Sequence, residues 1–488
     1  MYNSKSKKAE EFISDEEILK TLETAKEQSQ NKEYVKEILN KARACNGIDY
    51  TEATTLLLCD DEEVIKEIYE IAHNIKQKIY GNRIVMFAPL YLSNYCVNGC
   101  LYCSYHHNNT CIKRKKLTQE EIAKEVTALQ DMGHKRLALE AGEDPENCPI
   151  EYILESIKTV YSTKHKNGSI RRVNINIAAT TVENYRKLKE AENGWLLAQL
   201  HGSFTPAHAD GYILFQETYH KPTYERLHPT GPKHNYAYHT EAMDRAMEGG
   251  IDDVGIGALF GLYNYQYDFV GLLLHAKHLE DTFGVGPHTI SVPRICPAEN
   301  VDLSIFHDTI PDDTFKKIVA ILRIAVPYTG IIVSTRESKA TRREVLKLGV
   351  SQISGGSITG VGGYAKNRDE DEGTAQFDVT DTRPLDEVVR WLCEEGYVPS
   401  FCTACYRQGR TGDRFMSFAK SGEICNYCQP NALLTLKEYQ LDYANDETKR
   451  AIQNVWDKEI ERVACPEVKE KTLEMTKEIE KGNRDFRF

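Results

Sequence analysis

No run of apolar residues in this 488-residue chain is long enough to cross a bilayer, which takes about 20 in succession. The N-terminal stretch Met1-Tyr-Asn-Ser-Lys-Ser-Lys-Lys8 has neither the apolar segment of a secretory signal nor a transit-peptide pattern. A basic excess is missing too: 73 acidic against 61 basic residues leave a net charge of −12, without the basic stripe that a nucleic-acid partner would need. The local run Lys113-Arg-Lys-Lys116 reads as a solvated loop face. These absences predict a cytoplasmic protein with no membrane and no nucleic-acid partner. Cysteine, by contrast, is plentiful. Fourteen thiols with no secretory segment predict metal ligation in a reducing compartment rather than a disulfide framework.

Three of those cysteines stand together in Cys96-Val-Asn-Gly-Cys100-Leu-Tyr-Cys103, a C-x3-C-x2-C spacing with an aromatic residue, Tyr102, before the last thiol. Three thiolates can hold three irons of a cubane [4Fe–4S] cluster and leave the fourth iron open for chemistry. The plainer readings are buried thiols, or a zinc site with Cys111 as its fourth ligand. A second group lies near the C-terminus. Cys402 and Cys405 with Cys425 and Cys428 form C-x2-C-x19-C-x2-C, the pattern of a structural zinc site or a fully ligated cluster. Cys402, Cys405 and Cys428 alone form C-x2-C-x22-C, which again leaves one iron open, and spacing by itself favours zinc.

Between and around these groups the hydrophobic period changes. Residues 1–82 read as a helical extension, opened by the capping box Ser14-Asp-Glu-Glu17 and closed by a stripe at Val64, Ile68, Ile71, Ile75 and Ile79. From Arg83, short β-rich runs alternate with amphipathic helices eight times, at 84–88, 136–139, 173–177, 213–215, 254–258, 289–292, 331–333 and 351–354. That alternation predicts an α/β fold, a (β/α)8 or incompletely closed barrel over residues 83–365. Residues 366–383 read as an acidic linker, and 384–488 as a mostly helical unit carrying the second cysteine group. The glycines of Gly355-Gly-Ser-Ile-Thr-Gly360 imply tight turns and do not match a P-loop.

A barrel places its site at the C-terminal ends of the strands. The first triad follows the first strand, and Ala141-Gly142-Glu143 follows the second. Gln216 and Glu217 follow the fourth strand, Arg294 the sixth and Arg336 the seventh. An arginine can grip a carboxylate through two parallel hydrogen bonds, so Arg294 or Arg336 is expected to hold an amino-acid substrate or to close a salt bridge across the mouth.

The triad spacing resembles the radical S-adenosylmethionine (SAM) superfamily. Gln216-Glu-Thr-Tyr219, Leu227-His-Pro-Thr-Gly-Pro232 and Ser291-Val-Pro-Arg294 resemble its aromatic-lyase branch, and the C-terminal C-x2-C-x22-C triad resembles the tyrosine lyases of [FeFe]-hydrogenase maturation. The resemblance runs from about residue 40 to the end. It implies a SAM-binding [4Fe–4S] cluster on Cys96, Cys100 and Cys103, with Tyr102, Gly142 and Glu143 on SAM. It also implies Arg294, Arg336, Gln216 and Glu217 around L-tyrosine, and an auxiliary cluster on Cys402, Cys405 and Cys428 bearing a labile iron with L-cysteine on it.

The implied activity is Cα–Cβ cleavage of tyrosine to p-cresol and dehydroglycine, which then yields CO and cyanide, in an anaerobic cell. Other maturation proteins, a GTPase and a scaffold, and an electron donor such as ferredoxin or flavodoxin would be its partners. If the second triad caps the strand-entry mouth, the labile iron needs a ligand there, and His288, just before the sixth strand, is the predicted one, its plainer reading being a surface histidine that caps the strand. The alternatives are a 2-iminoacetate synthase of thiamine thiazole biosynthesis and a non-catalytic iron–sulfur or zinc scaffold. One departure from the family is an insert of about sixteen residues in the region 193–210, before the fourth strand.

Overall fold

The computed structural model describes residues 1–190, 209–366, 373–412, 414, 417–418 and 424–488. Apart from Ala209 and Asp210, the predicted insert lies outside them, as do residues 367–372 of the predicted linker. Five helices open the chain: α1 (Ala9–Phe12), α2 (Asp15–Gln28), α3 (Lys32–Ala42), α4 (Tyr50–Leu58) and α5 (Glu62–Ile79). The Ser14 side chain accepts a hydrogen bond from the Glu17 amide at 3.3 Å, satisfying an otherwise unpaired donor at the start of α2. α5 buries Ile68, Ile71, Ala72, Ile75 and Ile79, the predicted stripe, and packs on the barrel helix Asp312–Ala325.

The barrel strands are β1 (Arg83–Ser93), β2 (Arg136–Ala141), β5 (Arg172–Asn176), β6 (Gly211–Ile213), β7 (Val254–Gly257), β8 (Thr289–Ser291), β9 (Gly330–Val333) and β10 (Gln352–Ser354). A small antiparallel hairpin of β3 (Lys164–His165) and β4 (Gly168–Ser169) lies outside the ring. All barrel pairings are parallel and follow chain order, and β10 returns to β1 with Val85 opposite Gln352, closing the ring. Parallel neighbours need a crossover, and helices such as Gln119–Asp131, Ile150–Ser162 and Lys339–Leu348 supply it.

The connection between β6 and β7 differs from a simple unit. It holds three short helices, Lys221–Leu227, Tyr236–Thr240 and Ala242–Glu248, with Pro229, Gly231 and Pro232 separating the first from the second. In β7, small size is obligatory: a Cβ on Gly257 would lie 2.7 Å from the Ser291 carbonyl and 2.8 Å from the Phe215 ring.

Beyond β10, helix Leu385–Glu394 leads to β11 (Val398–Ser400). β11 lies parallel to the start of β1, Arg83 opposite Val398 and Val85 opposite Ser400, and Cys402 follows two residues later. The C-terminal unit is therefore tied to the entry end of the barrel by a strand and completed by helices Cys425–Asp442, Asp446–Ile460 and Pro466–Glu480.

Candidate functional site

The loop after β1 carries Cys96, Cys100 and Cys103, and the backbone around it fixes their placement. The Val97 amide donates to the Glu143 carbonyl at 2.8 Å, Gly99 to Thr230 at 3.1 Å and Leu101 to Leu227 at 3.0 Å. Gly142 lies so close beneath this loop that a Cβ there would collide with the Tyr95 carbonyl. Asn98 Nδ2 donates to Glu143 Oε2 at 2.6 Å, holding that carboxylate at the rim.

The three thiols line a cavity of about 150 Å³ together with Glu143, Glu217 and Arg336. Tyr102 lines it as well, its hydroxyl 2.8 Å from His228 Nε2. Lys233 Nζ sits 2.7 Å from Glu217 Oε1; burial opposes its charge, but Glu217 and Cys100 hold its pKa above the usual lysine value.

Burial pushes the Cys96 thiol up and the Cys103 thiol up to about 11, so both stay protonated until a cation displaces the proton. No three His, Cys, Asp or Glu side chains among the described residues converge as ligands of a single ion would. A cubane does not require that, because it holds each cysteine on a different iron. The donor set thus fits the cluster: three thiols on one wall, a backbone cradle at Gly142 and a carboxylate at Glu143. Cys111 is exposed and is not among the residues lining this cavity.

The two arginines part company. Arg294 Nε donates to Glu337 Oε1 at 3.0 Å, its Nη2 lies 2.8 Å from Asp312, and its guanidinium covers the Phe315 ring. It is absent from the described cavity lining and forms the salt bridge that was its other reading. Arg336 faces the cavity, stacked 3.4 Å over Phe377 and donating to Cys296 Sγ at 3.1 Å, with no carboxylate partner among the described residues. Gln216 also lies outside the lining, its amide donating to Thr240 Oγ1 at 2.9 Å.

At the opposite mouth, Cys402, Cys405 and Cys428 line a second cavity of about 100 Å³ with His288, Arg136 and Arg172. The Cys425 side chain lies outside the described residues. A hydrogen bond from Cys428, followed by the charges of Arg410 and Arg172, outweighs burial and lowers the Cys405 thiol to about 6. That shift favours the thiolate, the form that ligates iron. The His288 amide donates to the Val254 carbonyl at 2.9 Å, and its Nε2 lies 3.0 Å from the Tyr406 hydroxyl. Burial lowers its pKa, which favours the neutral, ligating imidazole.

Tyr406 in turn stacks 3.3 Å from Arg172, which pairs with Asp253 at 2.9 Å. Sequence reasoning missed Arg136, Arg172 and Tyr406. A signal was present, since three strands of the same sheet, β1, β2 and β5, open with arginine, and the register sets Arg136 opposite Arg172. Between the two mouths a third chamber of about 100 Å³ is lined by Glu140, Asn176, Phe215 and Arg336. Those four residues line the upper cavity too.

Residues 90–273 match the radical SAM superfamily, and residues 291–398 match the biotin and thiamin synthesis associated domain. The 2-iminoacetate synthase of Escherichia coli (strain K12) is 30% identical over 337 residues, 69% of this chain and 82% of that protein. A crystal structure of HydG, a maturase of the [FeFe]-hydrogenase, superposes with a TM-score of 0.91 at 55% identity, covering 98% of this chain and all of that one. HydG from Carboxydothermus hydrogenoformans gives a TM-score of 0.79 at 37% identity over 96% of this chain and 99% of its own. With cysteine triads at both mouths of one closed barrel and likeness to HydG along nearly its whole length, the chain belongs to the HydG family of radical SAM [FeFe]-hydrogenase maturases.

Proposed function

We propose that this chain is a tyrosine lyase that cleaves the Cα–Cβ bond of L-tyrosine to p-cresol and dehydroglycine, and turns the latter into CO and cyanide for an Fe(CO)(CN) unit of the hydrogenase active site. The observation that carries this reading is the pair of thiol triads at opposite mouths of one barrel, each lining a cavity, with a third chamber between them. When bound, SAM and a [4Fe–4S] cluster would supply a 5′-deoxyadenosyl radical that removes hydrogen from the tyrosine amine. Cys96, Cys100 and Cys103 would hold that cluster, with Tyr102, Gly142 and Glu143 beside SAM.

The guanidinium of Arg336, which has no carboxylate partner among the described residues, suits the tyrosine carboxylate, and the Glu217–Lys233 pair lines the same cavity. The buried walls exclude water from the radical step. At the lower mouth Cys402, Cys405 and Cys428 would hold the auxiliary cluster, and His288 the labile iron that carries L-cysteine. A one-electron donor such as ferredoxin or flavodoxin and the other maturation proteins, a GTPase and a scaffold, complete the scheme.

The test is anaerobic reconstitution with iron and sulfide, then incubation with SAM, dithionite and tyrosine. p-Cresol and CO are expected together in the parent. In Cys402→Ser/Cys405→Ser, p-cresol should persist while CO is largely lost. p-Cresol without CO in both proteins would indicate a 2-iminoacetate synthase, and neither product would indicate a scaffold.

A further inference from the structure

The conversion of dehydroglycine needs protons moved, and the barrel interior holds one carboxyl group placed to move them. Written with atoms balanced, HN=CH–COO⁻ gives CN⁻, CO and H2O. The N–H electron pair becomes the third carbon–nitrogen bond, and the C–C pair goes to the carboxyl carbon. Two protons, one from nitrogen and one from the cyanide carbon, then leave with a carboxylate oxygen as water. No external oxidant or reductant is required. What is required is a group that accepts a proton at one end of a two-carbon fragment and returns one at the other.

Glu140 stands where the upper cavity meets the middle chamber, within reach of such a fragment. It is the fifth residue of β2, registered opposite Tyr91 of β1 and Asn176 of β5. It lines both the upper cavity and the middle chamber, and among the described residues it is the only carboxylate that lines the middle one. The other two carboxylates of the upper cavity are engaged: Glu143 accepts from Asn98 at 2.6 Å, and Glu217 is paired with Lys233. Among the described residues Glu140 has no ion pair of its own within 4.0 Å, although Arg336 shares its chamber.

Resting on the tyrosine-lyase reading, we infer that Glu140 is the acid–base group that carries a proton from the dehydroglycine nitrogen to the carboxylate oxygen that leaves as water. The surroundings support the role. Burial raises its pKa to about 8, opposed by a hydrogen bond from Asn176 and by the charge of Arg336, so at neutral pH it carries a proton and can lose it. The other titratable groups that face it are Tyr91 of β1 and Tyr105 of the triad loop, both held neutral by burial. A carboxyl has two oxygens, so it can accept a proton on one as it gives a proton from the other.

The readout is CO formed per p-cresol, with glyoxylate measured alongside, since dehydroglycine that escapes this step hydrolyses to glyoxylate and ammonia. In reconstituted Glu140→Gln, CO per p-cresol should fall by about 100-fold, with glyoxylate rising to match. Glu140→Asp should restore part of it. In the parent the ratio should decline as pH rises through about 8, where Glu140 loses its proton, and in Glu140→Gln the remaining ratio should be flat. An unchanged ratio in Glu140→Gln overturns the inference. So does loss of p-cresol in both variants, which would place the carboxyl in the first step. Absence of p-cresol from the parent itself would count against the lyase reading instead.

Discussion

At the scale of single residues, commitment to a neighbour separates a working side chain from a structural one. Among the described residues Arg336 has aromatic and sulfur contacts but no carboxylate partner, so Arg336→Lys should raise the KM for tyrosine about 10- to 100-fold by replacing a planar fork with a point charge. Initial rates of p-cresol formation across tyrosine concentration check this. Arg294→Lys should instead leave KM nearly unchanged and lower thermal stability, because its partners are Glu337 and Asp312.

The sequence does not separate these two arginines. Both follow a strand, and the choice is made by which way each side chain leaves its strand. The cysteine triads are different, since their spacing alone limits what they can hold. His288→Ala should remove the high-spin signal of the labile iron and lower iron per chain while p-cresol formation continues. Retention of both iron and signal would exclude His288 as the ligand.

At the scale of elements, the N-terminal helices show how a buried cation sets a pH dependence. Lys76 of α5 is fully buried, donating to the Leu346 carbonyl at 2.6 Å and lying 4.4 Å from the Tyr397 ring centroid. Burial, reinforced by the Arg323 charge, lowers its pKa from 10.5 to about 7. Between those values the unfolded chain binds a proton that the folded chain does not, so stability is lost as pH falls from about 10.5 to about 7. Lys76→Met should therefore be more stable than the parent near pH 7 by about 1–4 kcal/mol, with a shallower pH dependence, in urea titrations at pH 7 and pH 10.

The triad loop gives a second element-level expectation. Gly142→Ala should push that loop off the end of β2 and leave reconstituted protein with less iron and little SAM cleavage. Most elements were legible because β-branched runs between amphipathic helices have few other solutions. β11 was not. It has three residues with a proline in the middle, and only pairing to an existing strand makes Val398-Pro-Ser400 extended and ordered.

At the scale of the whole molecule, three cavities follow one another between the two mouths, so the barrel interior is not a filled core. Ala138 of β2 lines the middle chamber, and Ala138→Phe should obstruct it at a packing cost of about 1–3 kcal/mol. p-Cresol should still form, whereas carbonyl bands at the auxiliary site should weaken in the infrared spectrum. Equal carbonyl bands in both proteins would mean the diatomic products travel by another route.

β1 serves both mouths: the first triad leaves its final residue, and β11, which delivers Cys402, is bonded to its opening residues. About 26 Å of strand, at ~3.3 Å per residue, lies between Val85 and Ser93. The two thiol triads are thus spaced by a ruler rather than by a hinge. Their separation is a covalent and hydrogen-bonded constant of the fold, and neither can approach the other to hand over its product. Whatever passes from one to the other must detach and travel, so the yield at the second centre is set by how well the walls between them retain a small molecule.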